Sequence, residues 1–160
     1  MKILGIDPGT ATVGYGLIEA KKRELIFREC GVIETHKKVP MIERLREIGT
    51  DIGALIKEMK PDLCVVEQLF FLKNVTNGIT VAQARGVILY EIAKANIPCV
   101  EFTPLQMKQL ITGHGRAEKK RVGMMITSML KLDKVPRPDD AADALGLAIC
   151  GYLASRMRRG

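Results

Sequence analysis

The chain has no tryptophan, and aromatic residues make up only 4% of its 160 residues. So low an aromatic content argues against a nucleic-acid surface built mainly on base stacking. No apolar stretch approaches the roughly 20 residues that span a bilayer, so we expect a soluble protein without a membrane partner. The first residues run directly into a predicted strand and lack the pattern of a secretion signal, so we expect a cytoplasmic protein.

Residues that ligate zinc or form redox pairs are also few. They are scattered singly along the chain: His36, His114, Cys30, Cys64, Cys99 and Cys150. The spacing contains no Cys-x-x-Cys pair, which argues against a zinc site or a dithiol centre. We therefore expect buried, unreactive thiols.

Positive charge is what the chain has in excess. Its formal charge is +7, with an isoelectric point near 9.4. A basic protein favours an anionic partner, and nucleic acid, nucleotide and ribosome all remain candidates on charge alone. The length predicts one domain over residues 1–160, large enough for a core covered by helices.

Hydrophobic periodicity predicts an α/β fold. Alternating or wholly apolar segments predict strands at 2–7, 13–20, 25–33, 63–66 and 98–102. Apolar residues three or four apart predict helices at about 42–59, 76–95, 104–112, 122–130 and 142–153. This order predicts a five-stranded mixed sheet with helices on both faces.

Two local signals predict turns and helix ends. Pro8 and Gly9 fit the central positions of a type II turn that would join the first two strands into a hairpin. Thr103 and Gln106 fit a capping box around Pro104, and Gly113 is a plausible helix stop.

Four carboxylates stand where the predicted elements begin or end. Asp7 closes the first strand and Glu67 the fourth, while Asp140 and Asp143 lie three apart near the start of the last helix. If the two strands are neighbours, about 4.8 Å apart, their terminal acids can touch one ion. Small residues around Asp143 would let the helix approach the sheet closely enough to join them. Each acid alone is as readily explained as a turn former or a helix cap.

An all-oxygen ligand set without histidine or cysteine selects Mg²⁺ or Mn²⁺ over Zn²⁺. Two such ions, roughly 3.5 to 4 Å apart, can activate water and orient a phosphodiester for in-line hydrolysis. We therefore expect Asp7, Glu67, Asp140 and Asp143 to be both metal ligands and catalytic residues. We also expect Gly14 and Gly16 to allow close approach of substrate.

Candidate DNA contacts follow the acids. Phe70 or Phe71 could insert into a nucleic acid beside Glu67, with Lys73 on a phosphate. Lys108, Lys119 and Lys120 add positive charge near the third and fourth predicted helices. A solvated helix face is the alternative for each lysine, and a core position for one phenylalanine.

A set of motifs, in order, extends through nearly the whole chain. They are Gly5-Ile6-Asp7-Pro8-Gly9, Val66-Glu67-Gln68, Asn74-Val75, Ala82-Gln83-Ala84-Arg85-Gly86, Thr112-Gly113-His114-Gly115-Arg116-Ala117 and Asp140-Ala141-Ala142-Asp143-Ala144-Leu145. The ordered set resembles the RuvC family of crossover junction endodeoxyribonucleases.

This resemblance implies a ribonuclease H-like fold, a homodimer, and Mg²⁺-dependent paired nicks in a four-way DNA junction during recombination and repair. The four acids match the family's catalytic acids, and Phe70 falls at the position of its junction-inserting aromatic. Lys108 and Lys119 match positions linked with DNA and catalysis. Arg85 lies in a helix associated with dimer contact and DNA approach, so we expect it to bind DNA. A branch-migration motor is an implied partner.

Two other functions compete. An ATP-handling lobe of the actin and sugar-kinase group also begins with Gly-Ile-Asp-x-Gly-Thr, but such proteins close two lobes around nucleotide and this chain has length for one. A non-catalytic nucleic-acid-binding module would not need all four acids.

Overall fold

The computed structural model describes residues 1–22, 24–69 and 75–157 of the chain. Its strands and helices, in chain order, are β1 (Lys2–Asp7), β2 (Thr12–Lys21), β3 (Glu24–Glu34), α1 (Met41–Met59), β4 (Leu63–Glu67), α2 (Val75–Lys94), β5 (Cys99–Phe102), α3 (Pro104–Thr112), α4 (Lys119–Met129) and α5 (Asp139–Met157). None of the described helices is long and apolar enough to cross a membrane.

The strands form one five-stranded mixed sheet in the order β3-β2-β1-β4-β5. The pairs β1–β2 and β2–β3 are antiparallel, whereas β1–β4 and β4–β5 are parallel. Ile6 of β1 pairs with Val66 of β4, one residue before the acid that ends each strand. The predicted sheet is confirmed, and it brings Asp7 and Glu67 to the same edge.

Helices cover both faces of the sheet, as predicted. Because side chains alternate along a strand, Leu4 and Ile6 of β1 pack with α1 and α2, while Ile3 packs with α3, α4 and α5. Asp7 therefore shares the Ile3 face and points toward α5. Helix α5 is buried around most of its circumference, since residues 141 to 152 are all buried except Asp143.

Glycines in the sheet let α5 lie directly on the strands. A Cβ atom on Gly5 would stand 1.9 Å from the carbonyl oxygen of Ala144, and one on Gly14 would stand 2.0 Å from that of Asp140. A Cβ atom on Gly16 would meet Leu145 at 2.8 Å. The expectation that Gly14 and Gly16 leave room for substrate is therefore wrong, because α5 fills that space.

The loop between β1 and β2 differs from the predicted type II turn. Such a turn needs a positive φ at Gly9, but among the described glycines only Gly113 has one. Strand β2 begins at Thr12, so the loop spans residues 8–11, one residue shorter than the predicted strands imply. Gly9 is needed for another reason, since a Cβ atom there would stand 2.1 Å from the carbonyl oxygen of Thr12.

The predicted capping box at the start of α3 is confirmed. The Gln106 N–H donates to Thr103 Oγ1 at 3.2 Å, and the Thr103 N–H donates to Gln106 Oε1 at 2.9 Å. The helix ends at Gly113, in the left-handed conformation with a φ of 76°. These two caps fix the ends of the helix that carries Lys108.

The cysteines are only partly as expected. Cys64 and Cys150 are buried, and burial raises the pKa of each thiol to about 12. Cys99 is exposed because β5 is an edge strand of the sheet, and Cys30 is half-buried. All four are free thiols.

Candidate active site

Three of the four acids converge at the carboxyl end of β1. Asp7, Asp140 and Asp143 each offer a carboxylate oxygen, and these oxygens lie within 4.8 Å of one another. Asp7 is the last residue of β1, and the other two face the same side of α5 because residues three apart are neighbours on a helix. Helix α5 reaches Asp7 because Gly5 and Gly14 have no side chain to hold it away.

Glu67 lies next to this triad, at the end of the neighbouring parallel strand. It lines a cavity of about 250 Å³ with Asp143, Lys108 and Lys119. Its carboxylate is not among the three oxygens within 4.8 Å, but its negative charge raises the pKa of Asp7. The structure therefore brings all four acids into one electrostatically coupled group.

Burial and mutual repulsion raise the pKa values of Asp7, Glu67 and Asp143. Burial, followed by the charges of Glu67, Asp143 and Asp140, raises the pKa of Asp7 to about 8. Burial and the charge of Asp143 raise the pKa of Glu67 to about 7, against the opposing effect of Lys108. Burial also raises the pKa of Asp143, with Lys119 opposing it. A cation among these carboxylates would replace the protons they otherwise retain.

The donor set fits a hard divalent cation. All the candidate ligand atoms are carboxylate oxygens, the type that Mg²⁺, Mn²⁺ and Ca²⁺ prefer. The three oxygens within 4.8 Å are close enough to contact one ion, which would relieve the repulsion between the carboxylates.

Lys119 links Asp143 to an ion-pair network that includes Asp139 and Arg137. Its Nζ atom lies 3.4 Å from Asp143 Oδ2 and 3.2 Å from Asp139 Oδ2. Asp139 in turn accepts a hydrogen bond from Arg137 at 3.2 Å. Sequence reasoning missed Asp139 and Arg137. The doublet Asp139-Asp140 was visible, but nothing in the sequence indicates that the first acid faces Lys119 while the second faces Asp7.

The other predicted DNA contacts fall in different places. Lys108 lines the cavity of Glu67, and Lys120 lines an adjoining cavity of about 330 Å³ between α4 and α5. Arg85 turns inward, where its Nε donates to the backbone oxygen of Glu67 at 3.1 Å. Phe70, Phe71 and Lys73 lie outside the described residues.

A mixed sheet that carries acids at the ends of two parallel strands, closed by a helix with two more, is the architecture of a metal-dependent phosphodiester hydrolase. Comparison with known proteins narrows this class. A family model described as Crossover junction endodeoxyribonuclease RuvC matches residues 3–151. The protein of that name from Syntrophomonas wolfei is 51% identical over 157 residues. The matched residues cover 98% of this chain and 91% of the Syntrophomonas protein.

Solved structures agree with the family match. The Thermus thermophilus RuvC structure matches with a TM-score of 0.91 at 31% identity, over 99% of this chain and 97% of its own. The same protein in complex with Holliday junction substrate matches with a TM-score of 0.90 at 27% identity. This match covers 98% of this chain and 96% of the T. thermophilus chain.

The chain therefore belongs to the RuvC family of crossover junction endodeoxyribonucleases. Membership confirms the ribonuclease H-like fold that the motifs implied. It also decides between the competing functions, in favour of a nuclease over a nucleotide-binding lobe or a non-catalytic module. A nuclease of this family depends on divalent metal, which agrees with the acidic cluster.

Proposed function

We propose that this chain resolves four-way DNA junctions in recombination and repair, by metal-dependent hydrolysis of one phosphodiester in each of two opposed strands. The observation that carries the proposal is the convergence of Asp7, Asp140 and Asp143 beside Glu67, in a chain that matches the family over residues 3–151. The relative from T. thermophilus, solved with a Holliday junction substrate, supports the same substrate for this chain.

We propose that Asp7, Glu67, Asp140 and Asp143 hold two Mg²⁺ ions, for which Mn²⁺ can substitute. Such ions, when bound, activate water and stabilise the leaving oxygen of the phosphodiester. Asp7 has the central position, since the charges of all three other acids act on it. Asp7 would hold metal together with Asp140, Asp143 and Glu67.

Lys108 and Lys119 both line the cavity that Glu67 and Asp143 share. The Lys119 ammonium group is divided between Asp143 and Asp139. When Asp143 serves as a metal ligand, its attraction for Lys119 weakens. The ammonium group stays near the site through Asp139 and is then free to bind the phosphate being cut. Lys120 adds positive charge for a flanking phosphate.

Paired nicks need two active sites related by a two-fold axis, so we propose a homodimer. The described part of α2 supports this because Ile79 and Tyr90 are 57% and 63% exposed, on a helix that also has buried residues. A branch-migration motor as a further partner, one domain over residues 1–160 and a cytoplasmic location stay predictions.

The direct test compares a four-way junction with a linear duplex of the same sequence, each incubated with and without Mg²⁺. We expect symmetric paired nicks in the junction alone, lost on metal removal and in Asp7→Asn. Tight junction binding without nicks would instead point to a binding module. Equal cleavage of both DNAs would reject junction selectivity.

Phe70 and Lys73 are proposed DNA contacts that need their own test. If Phe70 opens the junction centre, Phe70→Ala should cut an ordinary junction poorly but a junction already unpaired at its centre well, because a wedge acts by unstacking. Phe71→Ala tests the alternative, and the variant that the opened junction rescues identifies the wedge. If the opened junction does not rescue Phe70→Ala, Phe70 has no wedge role.

A further inference from the structure

Arg85 contacts β4, which ends at Glu67, and its neighbour β5. From α2, its Nε donates to the backbone oxygen of Glu67 at 3.1 Å. Its Nη2 forms an ion pair with Glu101 of β5. Its side chain is only 19% exposed, whereas Lys119 in the same region is 61% exposed. Arg85 is therefore half-buried, and its guanidinium is engaged by groups of the protein itself.

The end of β4 is paired on both sides, Val66 with Ile6 of β1 and Glu67 with Phe102 of β5, and Arg85 adds a contact from a third element, α2. Just after Glu67, the Gln68 N–H donates a hydrogen bond to the backbone oxygen of Phe102 in β5, at 2.8 Å. Strand β5 is a four-residue edge strand, so its own position is weakly constrained. A planar guanidinium with several fixed donors can bind an acceptor on each strand at once, which a lysine cannot do with the same geometry.

We propose that Arg85 is a positioning residue for Glu67 and not a DNA contact. It fixes the main chain of Glu67, and this directs the carboxylate toward Asp143 and Asp7. Glu101 holds the guanidinium in place and also repels phosphate from it. The inference rests on the proposed function, because it takes Glu67 as a ligand of the catalytic metal.

The first measurement needs neither metal nor activity. In Arg85→Gln, hydrogen exchange at the Gln68 amide should become faster, because the end of β4 is released from α2. The Cys64 amide at the other end of β4, bonded to the Pro98 oxygen at 2.9 Å, is the internal reference and should keep its protection. Unchanged exchange at Gln68 would overturn the positioning role.

The second measurement separates metal binding from DNA binding. A misplacement of about 1 Å costs on the order of 100-fold in rate, so we expect Arg85→Gln to cut slowly and to need at least about tenfold more Mg²⁺. Junction affinity in EDTA should not change. Glu101→Gln keeps an acceptor oxygen and should show a smaller shift in the same direction. Weakened junction binding with an unchanged Mg²⁺ requirement would make Arg85 a DNA contact and reject the inference.

Two further variants keep the outcomes distinct. Arg85→Lys retains the charge and serves if Arg85→Gln does not fold; it should raise the Mg²⁺ requirement without weakening junction binding, and a wild-type Mg²⁺ requirement would reject the inference. Glu67→Gln tests the proposed function in the same assay. Normal cleavage by Glu67→Gln would remove Glu67 from the site, whereas an inactive Glu67→Gln beside a normal Arg85→Gln would reject only the role of Arg85.

Discussion

Replacing Gly14 by alanine should disable the active site while leaving the protein folded. The added Cβ atom would stand 2.0 Å from the backbone carbonyl oxygen of Asp140, whereas ordinary van der Waals contact begins near 3.4 Å. The neighbour is backbone of α5 and cannot rotate away, so the start of the helix must move by roughly 1.4 Å. Asp140 and Asp143 lie at this end of α5 and must move with it.

The loss can be estimated from this displacement. A misplacement of about 1 Å at a reacting centre costs on the order of 100-fold in rate, so Gly14→Ala should lose at least that much cleavage. Overpacking of this kind costs about 1–3 kcal/mol of folding free energy, which most domains of this size survive. Activity should therefore fall far more than stability.

Gly151→Ala is the matched control. Its Cβ atom would stand 2.5 Å from Val65 Cγ2, so it overpacks the same helix against the same sheet. Gly151 is about 12 Å further along α5 than Asp143, at 1.5 Å per residue. We would compare the urea midpoint and the single-turnover cleavage rate of both variants. Folded Gly14→Ala with full activity, or an equal loss of activity in Gly151→Ala, would refute the argument.

Three other variants test the acids and Lys119. Asp143→Asn should abolish cleavage yet bind junctions in EDTA at least as tightly as the unmodified chain, because removing a negative charge cannot weaken phosphate attraction; retained cleavage would exclude Asp143 as a ligand. The metal-free chain should melt at lower temperature as pH rises from about 4 to about 8, since folding raises the pKa of Asp7 from 3.8 to about 8 and the native state holds a proton that the unfolded state loses. Asp7→Asn should flatten this slope, and an unchanged slope would reject the assignment. Lys119→Ala should lower the cleavage rate while leaving the Mg²⁺ requirement nearly unchanged, and a wild-type rate would argue against a phosphate contact.

The positions of the acids could be predicted because strand ends and helix starts are local features of the sequence. The apolar runs before Asp7 and Glu67 predicted buried strands, and the parallel pairing of β1 and β4 then brought both ends to one edge. The caps at Thr103 and Gly113 were equally local and are confirmed.

The features that the sequence did not predict are mostly contacts between elements that are distant in the chain. Nothing near Gly14 indicates that α5 will fill the space above it, because the two are distant in the chain. Arg85 has the charge of a DNA contact, and only the fold shows that its donors turn toward Glu67. The type II turn at Gly9 is wrong because a Pro-Gly pair does not by itself fix the φ of its glycine, and the φ of Gly9 is not positive.

The site is assembled from opposite ends of the sequence, and this affects the order in which it appears during synthesis. Strand β1 leaves the ribosome first, whereas α5 follows every other described element. At about 5–20 residues per second, several seconds separate the emergence of Asp7 from that of Asp140. A nascent chain that has not yet released α5 lacks two of the four proposed metal ligands. Nuclease activity is therefore withheld until α5 has emerged, without any inhibitor.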